Sequence, residues 1–460
     1  MTTDPTPAPA DPGATAAPQA ASEPPPAPRV ALPADDPLRS VLHDEVHARP
    51  SPRIRLPALV TYVAVLNEGV TREDECRHLM RLPRHEHLVP ADLQGNFLRL
   101  RLAGHTLKWE RHSEFTRYTI VQALPESAPQ ARRDPLPALA VAAEWLRDVP
   151  GRTVAAIELV MVHGDLDDPH ATVAHGQSWF GEHTTVASLL GRGHSCAMTD
   201  FRLRDSGFER MLVIAPANTS DTRAGRISQR LLELETYRLM ALRGLPVAKA
   251  LTPMLSAAEA ALADSTARLE GGRGSEQELL DSLIGLAVRI ERATAQHMYR
   301  FSATQAYDAI VRQRITELRE QPIAGTQTIG EFMQHRLSPA IATVAATAQR
   351  LASLSQRIER TSALLRTRVD IATATQSQQL LARLTRGQQL QLRLQSTVEG
   401  LSIAAISYYV VSLLLYGAKA AKSAGLPLNP ELVAGVLIPL VLWVVWRTTR
   451  RIHARLYKDE

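Results

Sequence analysis

Two apolar runs near the C-terminal end constrain this chain more than any other feature. "LSIAAISYYVVSLLLYG" (401–417) and "PELVAGVLIPLVLWVVW" (430–446) each hold 17 residues with at most one charge. That is close to the lower length limit for a bilayer-spanning helix. The short connection 418–429 makes them a hairpin of two spans. "RTTRRIHARLYK" follows the second span with five Arg or Lys, whereas the connection has only Lys419 and Lys422. The positive-inside rule then puts the C-terminus in the cytoplasm, and two spans return the rest of the chain to that side. The expectation is an integral protein of the cytoplasmic membrane, with the lipid bilayer as partner and both termini cytoplasmic.

The first run is not kept fully apolar. Glu399, Ser402, Ala405, Tyr409, Ser412 and Tyr416 follow one another at steps of three or four, which puts them on one helical face. Such a stripe either packs against another helix or lines water. Small residues suit close packing, while Tyr409 and Tyr416 suit a wider, partly wet axis. On the second reading Glu399, Ser402, Tyr409, Ser412, Tyr416 and Gly417 face a shared axis or pore in a homo-oligomer.

From 220 to 416 nearly everything reads as helix, with breaks at "RGLP" (243–246), "EGGRGS" (270–275) and "QPIAGTQT" (321–328). Between Ile329 and Gly400 the one interrupter is Ser338-Pro339. A continuous helix over the 62 residues from Pro339 to Gly400 would measure about 90 Å. Val344, Leu351, Ile358 and Leu365 recur every seven residues along it. They face either the chain's own domain or, as a coiled coil, further copies.

Residues 35–217 read as an α/β or α+β cytoplasmic domain. "DDPLRSVLHDEVHARP" suits a short helix capped by Asp36, with Pro37 at its first position. "ALVTYVAVL" (58–66) and "RTVAAIELVMV" are strands. "TREDECRHLMRL" (71–82) is a helix capped by Thr71. Gly104 separates two alternating strands, "YTIVQAL" is a further strand, and "LPALAVAAEWLRDV" is a helix. "CAMTDFRLRDSGFERMLVIAP" is a hairpin turning at Asp205-Ser206-Gly207. The fold class expected is thus this domain, a helical domain with stalk (218–400), a transmembrane hairpin (401–446) and a basic tail (447–460). Residues 1–34 are Pro/Ala-rich and suit an unpacked tail; no basic start precedes an apolar run there, so no signal peptide is expected.

Composition narrows the function. A formal charge of +5 over 460 residues with no aromatic-interleaved basic patch gives no case for nucleic acid. Cys76 and Cys196 are the two cysteines; without a CxxC they fit a reducing compartment and buried apolar roles. Residues 43–194 hold 12 of the 15 histidines, and His43 and His47 stand four apart. Asp44, however, occupies the place where a zinc protease has its glutamate, and Pro50 ends the helix, so His47 and Arg49 are read as structural. "GRGHS" (191–195) is a turn or a small anion nest. In "KWERHSEF" (108–115), Glu110 is expected to pair across strands with Arg111 or Arg117. No catalytic arrangement and no cofactor is expected.

The stretches "DEVHARP" (44–50), "LKWERHSEF" (107–115), "TDFRLRDSGF" (199–208), "AGRISQRLLELETYRLMAL" (224–242), "RFSATQAYDAIV" (300–311), "LRTRVDIA" (365–372) and "STVEGLSIAAISYY" (396–409) carry a family resemblance. The chain is similar to a bacterial family of uncharacterised membrane-anchored proteins, over about 37–456. The resemblance implies a C-terminal anchor in the bacterial inner membrane and brings no activity. It marks Asp44, Glu45, His47, Arg49, Trp109, Glu110 and Arg111 as motif residues, read as structural. In architecture the chain also resembles the CorA-type magnesium transporters, which carry Tyr-Gly-Met-Asn after their first span. Here Tyr416 and Gly417 match, and Ala418 and Lys419 stand for Met and Asn. The function expected is an oligomeric CorA-like ion permease or a non-conducting relative. The alternatives are a membrane-tethered scaffold or sensor without a pore, with ion or ligand open, and a membrane-anchored metalloenzyme.

Overall fold

The computed structural model describes residues 2, 33, 35–40, 42–43, 51–124, 139–272, 274–424 and 430–456. The chain divides into two compact units, one of residues 1–242 and 305–339, the other of 243–304 and 340–460. Where the sequence suggests a domain ending near 217, the first unit also takes in later helices.

The first unit is built on an eight-stranded sheet in the order β2-β3-β4-β1-β5-β8-β7-β6. The strands are β1 (Ala58–Leu66), β2 (Phe97–Leu102), β3 (His105–Arg111), β4 (Phe115–Ala123), β5 (Arg152–His163), β6 (Val186–Leu190), β7 (Ser195–Leu203) and β8 (Glu209–Ala215). Adjacent strands run antiparallel except β5 and β8. Every residue of β1 is buried, as a central strand covered on both faces requires.

On one face Val63, Val65, Leu107, Trp109, Tyr118 and Ile120 meet Cys76 and Leu79 of α1 (Arg72–Leu79) and Trp145 of α2 (Ala143–Arg147). Thr71 caps α1 through a reciprocal pair: its Oγ1 accepts from the Asp74 amide, and Asp74 Oδ2 accepts from the Thr71 amide. Farther along this face lie Leu59, Val160, Met198, Leu212 and Phe180, beside α3 (Pro169–Gln177), whose first amides donate to Asp168. Before the sheet, the Asp36 carboxylate accepts from the Leu38 amide in the expected cap.

The opposite face carries α4 (Asp221–Leu242). Tyr62 of β1 shares a hydrogen bond of 2.8 Å with Thr236 of that helix. Gly225 lets α4 lie directly on the preceding chain, because a side chain there would collide with the Pro52 carbonyl oxygen. The end of α6 (Glu276–Leu318) and α7 (Ile329–Arg336) also belong to this unit. α7 opens with a second capping box, Thr328 with Glu331.

The second unit packs α5 (Gly244–Glu270), the first part of α6 and the first part of α8 (Ser338–Ser423) around one apolar core. Leu251, Leu255 and Leu262 of α5 and Leu283, Leu286 and Ile290 of α6 meet Val344, Leu351, Ile358 and Leu365 of α8. The heptad seam is therefore closed by the chain's own helices, the first of its two expected readings, at these four positions. The physical reason is that α5 and α6 bring their own apolar stripes to it. Arg350 adds a two-pronged bond to Glu259, at 3.1 and 2.8 Å.

α8 is one helix of 86 residues, roughly 130 Å at 1.5 Å per residue. The break expected at Ser338-Pro339 falls at Leu337, and Pro339 sits in the first turn, where it costs no hydrogen bond. The helical run through Ser423 and α9 (Pro430–Leu456) both contain a stretch long and apolar enough to cross a membrane.

Candidate functional site: an arginine-lined cavity at the end of a buried charge network

The sheet face under α4 is not simply apolar. Strand alternation puts Lys108 and Glu110 of β3 and Arg117 of β4 on it, and register pairs Glu110 with Arg117. Arg117 donates from Nε to Glu110 Oε2 at 2.6 Å and from Nη2 to Oε1 at 2.9 Å. Lys108 Nζ stands 3.0 Å from Glu110 Oε2. Arg117 Nη1 reaches Glu233 of α4 at 3.1 Å, and Arg314 of α6 donates to the other Glu233 oxygen at 2.7 Å. Arg314 also holds Glu317 at 2.9 and 3.0 Å, and Glu317 lies 3.3 Å from Arg230.

Lys108, Glu110, Arg117 and Glu233 are all buried, and burying a charge is costly unless it is paired and hydrogen-bonded. Burial by itself would raise the Glu110 carboxyl, but Arg117 and Lys108 outweigh it and hold it at about 2. Glu233 is likewise lowered, because Arg117, Gln229 and Arg314 overcome its burial. Arg117 is raised against burial by Glu110, Tyr62 and Glu233. Lys108 is lowered, since burial exceeds the help from Glu110.

The network ends at a cavity of about 320 Å³. α4 supplies Arg223, Arg226 and Arg230, which share a helical face at spacings of three and four. The end of α6 supplies Glu317 and Leu318, and Arg319 follows. Leu190, Gly191 and Ser195 come from the β6–β7 turn and its flanks, and Ile227 completes the lining. Gly191 leaves room for an arginine: a Cβ there would stand 3.3 Å from Arg223 Nη2. Ser195 is fully buried, and its hydroxyl makes no hydrogen bond among the described residues. Arg230 and Arg314 share Glu317, whereas Arg223, Arg226 and Arg319 form no ion pair among the described residues.

"GRGHS" is a turn in which three amides are already used. Gly191 donates to Leu318, Arg192 to Arg319 and His194 to Leu190, so at those amides the nest reading is corrected. His194 is held low by burial and by Arg223.

A second cavity, about 650 Å³, lies in the same unit against α7. Phe201 stacks on Phe332 at 4.7 Å, and the Arg238 guanidinium sits 5.5 Å from the Phe201 ring. Phe201 holds φ +50° where the β7–β8 pairing shifts register, a left-handed conformation that a bulky residue rarely adopts. Close by, burial and then the Glu235 carboxylate push Glu209 up to about 9.

Of the motif residues, Asp44, Glu45, His47 and Arg49 lie outside the described residues. His43 is exposed, and no group of three or more His, Cys, Asp or Glu side chains stands within reach of one metal ion among the described residues. Trp109 is a core residue, Glu110 belongs to the charge network, and Arg111 pairs on the other face with Glu75 at 2.7 Å. Glu110 thus takes Arg117, not Arg111. Along the first apolar stretch, Tyr409 and Tyr416 are 68% and 72% exposed, Ser402 and Gly417 are exposed, Glu399 and Ser412 are partly buried, and Ser407 is 4% exposed. Sequence reasoning missed Arg223, Arg226, Arg230, Glu233, Arg314, Glu317 and Arg319, while Gly191 and Ser195 lie in the "GRGHS" stretch it singled out. The one usable signal was the arginine spacing on α4.

The fold defines a class: a mixed-sheet unit with a buried ionic layer, joined to a helical unit that ends in two long apolar helices. The chain belongs to the family described as Protein of unknown function (DUF3422), whose model matches residues 34–456. No curated protein and no solved structure matches the chain.

Proposed function

We propose that this chain is a membrane-tethered sensor, in which a cytoplasmic sheet unit binds a ligand and the two apolar helices serve as an anchor without conducting ions. The observation that carries this reading is the arginine-lined cavity. A concave site with convergent polar groups, tied through Glu317 and Arg314 to the buried Glu233–Arg117–Glu110 network, has the form of a small-molecule site. The closed seam at Val344, Leu351, Ile358 and Leu365 supports it too. Those positions are used within one chain and are not left to build a stalk around a shared pore. Arg447, Arg450, Arg451 and Arg455 against Lys419 and Lys422 support two spans with both termini cytoplasmic in the bacterial inner membrane.

The second reading is the oligomeric CorA-like permease or a non-conducting relative. It is favoured by the exposure of Tyr409 and Tyr416 in a single chain, which leaves the polar stripe for other copies. The purified full-length chain in liposomes loaded with a magnesium-sensitive dye separates the two. The sensor reading expects no influx above protein-free liposomes. Saturable influx that Tyr416→Ala abolishes would replace it with the permease.

A further inference from the structure

The chemistry of the cavity defines what it takes. Four arginines face one glutamate there, and Glu317 is already held by Arg230 and Arg314, at 3.3 and 2.9 Å. The guanidinium groups of Arg223, Arg226 and Arg319 are left with no acid of their own among the described residues. A further donor adds to them from an independent element, since the fully buried Ser195 lines the cavity and its hydroxyl makes no hydrogen bond among the described residues. A buried hydroxyl without a partner costs free energy that a ligand acceptor would recover. Arg223 and Arg226 also lie in the first two turns of α4, so its positive end adds to the same field.

We propose that this cavity binds the phosphoryl dianion of a small phosphomonoester. The inference deepens the sensor reading and rests on it. Three guanidinium groups and a hydroxyl offer more donors than one carboxylate can use. They match the three terminal oxygens of a phosphate monoester, which arginine recognises in two-pronged fashion. The volume exceeds what a bare phosphate needs, because about 320 Å³ lies at the lower end of the ~300–1,000 Å³ typical of small-molecule sites. Leu190, Ile227 and Leu318 give the surplus an apolar lining, which suits a short organic group attached to the phosphate. That organic group belongs either to a soluble molecule or to a lipid headgroup, and the recognising chemistry is the same.

The test is calorimetric titration of phenyl phosphate into the full-length chain held in phosphatidylcholine nanodiscs, with benzoate as the carboxylate counter-probe. Saturable binding of phenyl phosphate is expected, with benzoate at least tenfold weaker. Arg223→Gln combined with Arg226→Gln should weaken binding at least tenfold, the least that losing a charge-assisted hydrogen bond costs. Ser195→Ala should weaken it severalfold without lowering the melting temperature of the ligand-free chain, since it removes an unpartnered buried hydroxyl, and the exposed Arg152→Gln should leave it as it is. Repeating the titration in discs that contain phosphatidic acid separates the sources. Heats that survive identify a soluble ligand, heats that vanish identify the headgroup, and both support a phosphoryl site. No saturable heat in plain phosphatidylcholine, equal affinity for benzoate, or affinity unchanged in the double variant would overturn the proposal. Each of those outcomes leaves ion flux untouched, so the anchor reading fails or stands separately.

Discussion

Arg117 is the residue on which the buried ionic layer turns. It bonds Glu110 through two nitrogens and Glu233 through a third, and it is nearly inaccessible to water. Replacing one partner of such a pair leaves an uncompensated charge inside the protein, at a cost of about 3–5 kcal/mol. Arg117→Met is expected to lose stability on that scale at pH 7, measured by denaturant titration of the full chain. The pH dependence follows from Glu110, whose carboxyl sits at about 2 in the folded chain against an ordinary value of 4.5. A depressed carboxyl stabilises above its unfolded value and loses that contribution as pH falls from about 4.5 through 2. The gap between wild type and Arg117→Met should therefore narrow over that interval. A gap that stays constant or widens on acidification would mean that Glu110 is not the partner that matters.

Among the elements, α8 shows most plainly how folding decides between two readings that the sequence leaves open. Its seven-residue repeat identifies an apolar seam, but the sequence does not say what fills it, since a partner copy and α5 with α6 offer the same leucines. The structure fills it from within. Leu351→Ala is expected to destabilise the helical unit by about 2–5 kcal/mol through cavity formation, without changing particle size by light scattering. A smaller particle of unchanged thermal stability would return the seam to an interface between copies. Elements with strong signals were legible from the chain alone. β1, β5 and the β7–β8 hairpin have apolar runs or alternation with turn residues, and α1 has its cap. β6, with five residues, is too short to establish a period, and α3 was not legible either. α3 presents little apolar surface, with "PHATVAHGQ" as its whole sequence.

At the scale of the whole molecule, what sequence reading missed is what only folding assembles. Ser195, Arg226 and Arg319 line one cavity, though each is separated from the next by more than thirty residues. Their meeting depends on the β6–β7 turn reaching the end of α6 in the same unit, as the Gly191–Leu318 and Arg192–Arg319 hydrogen bonds record. The apolar C-terminal helices were legible because length and hydrophobicity are local properties. On the sensor reading these helices anchor and do not conduct, and function belongs to the sheet unit. Single cysteines from Ser402 to Tyr416, in a chain whose two buried cysteines, Cys76 and Cys196, have been replaced, test it most directly in native membranes with a small water-soluble thiol reagent. An anchor without a pore leaves positions 402, 409, 412 and 416 as protected as 406, 410 and 414. Labelling confined to the four stripe positions would reveal an aqueous path along the span and contradict it.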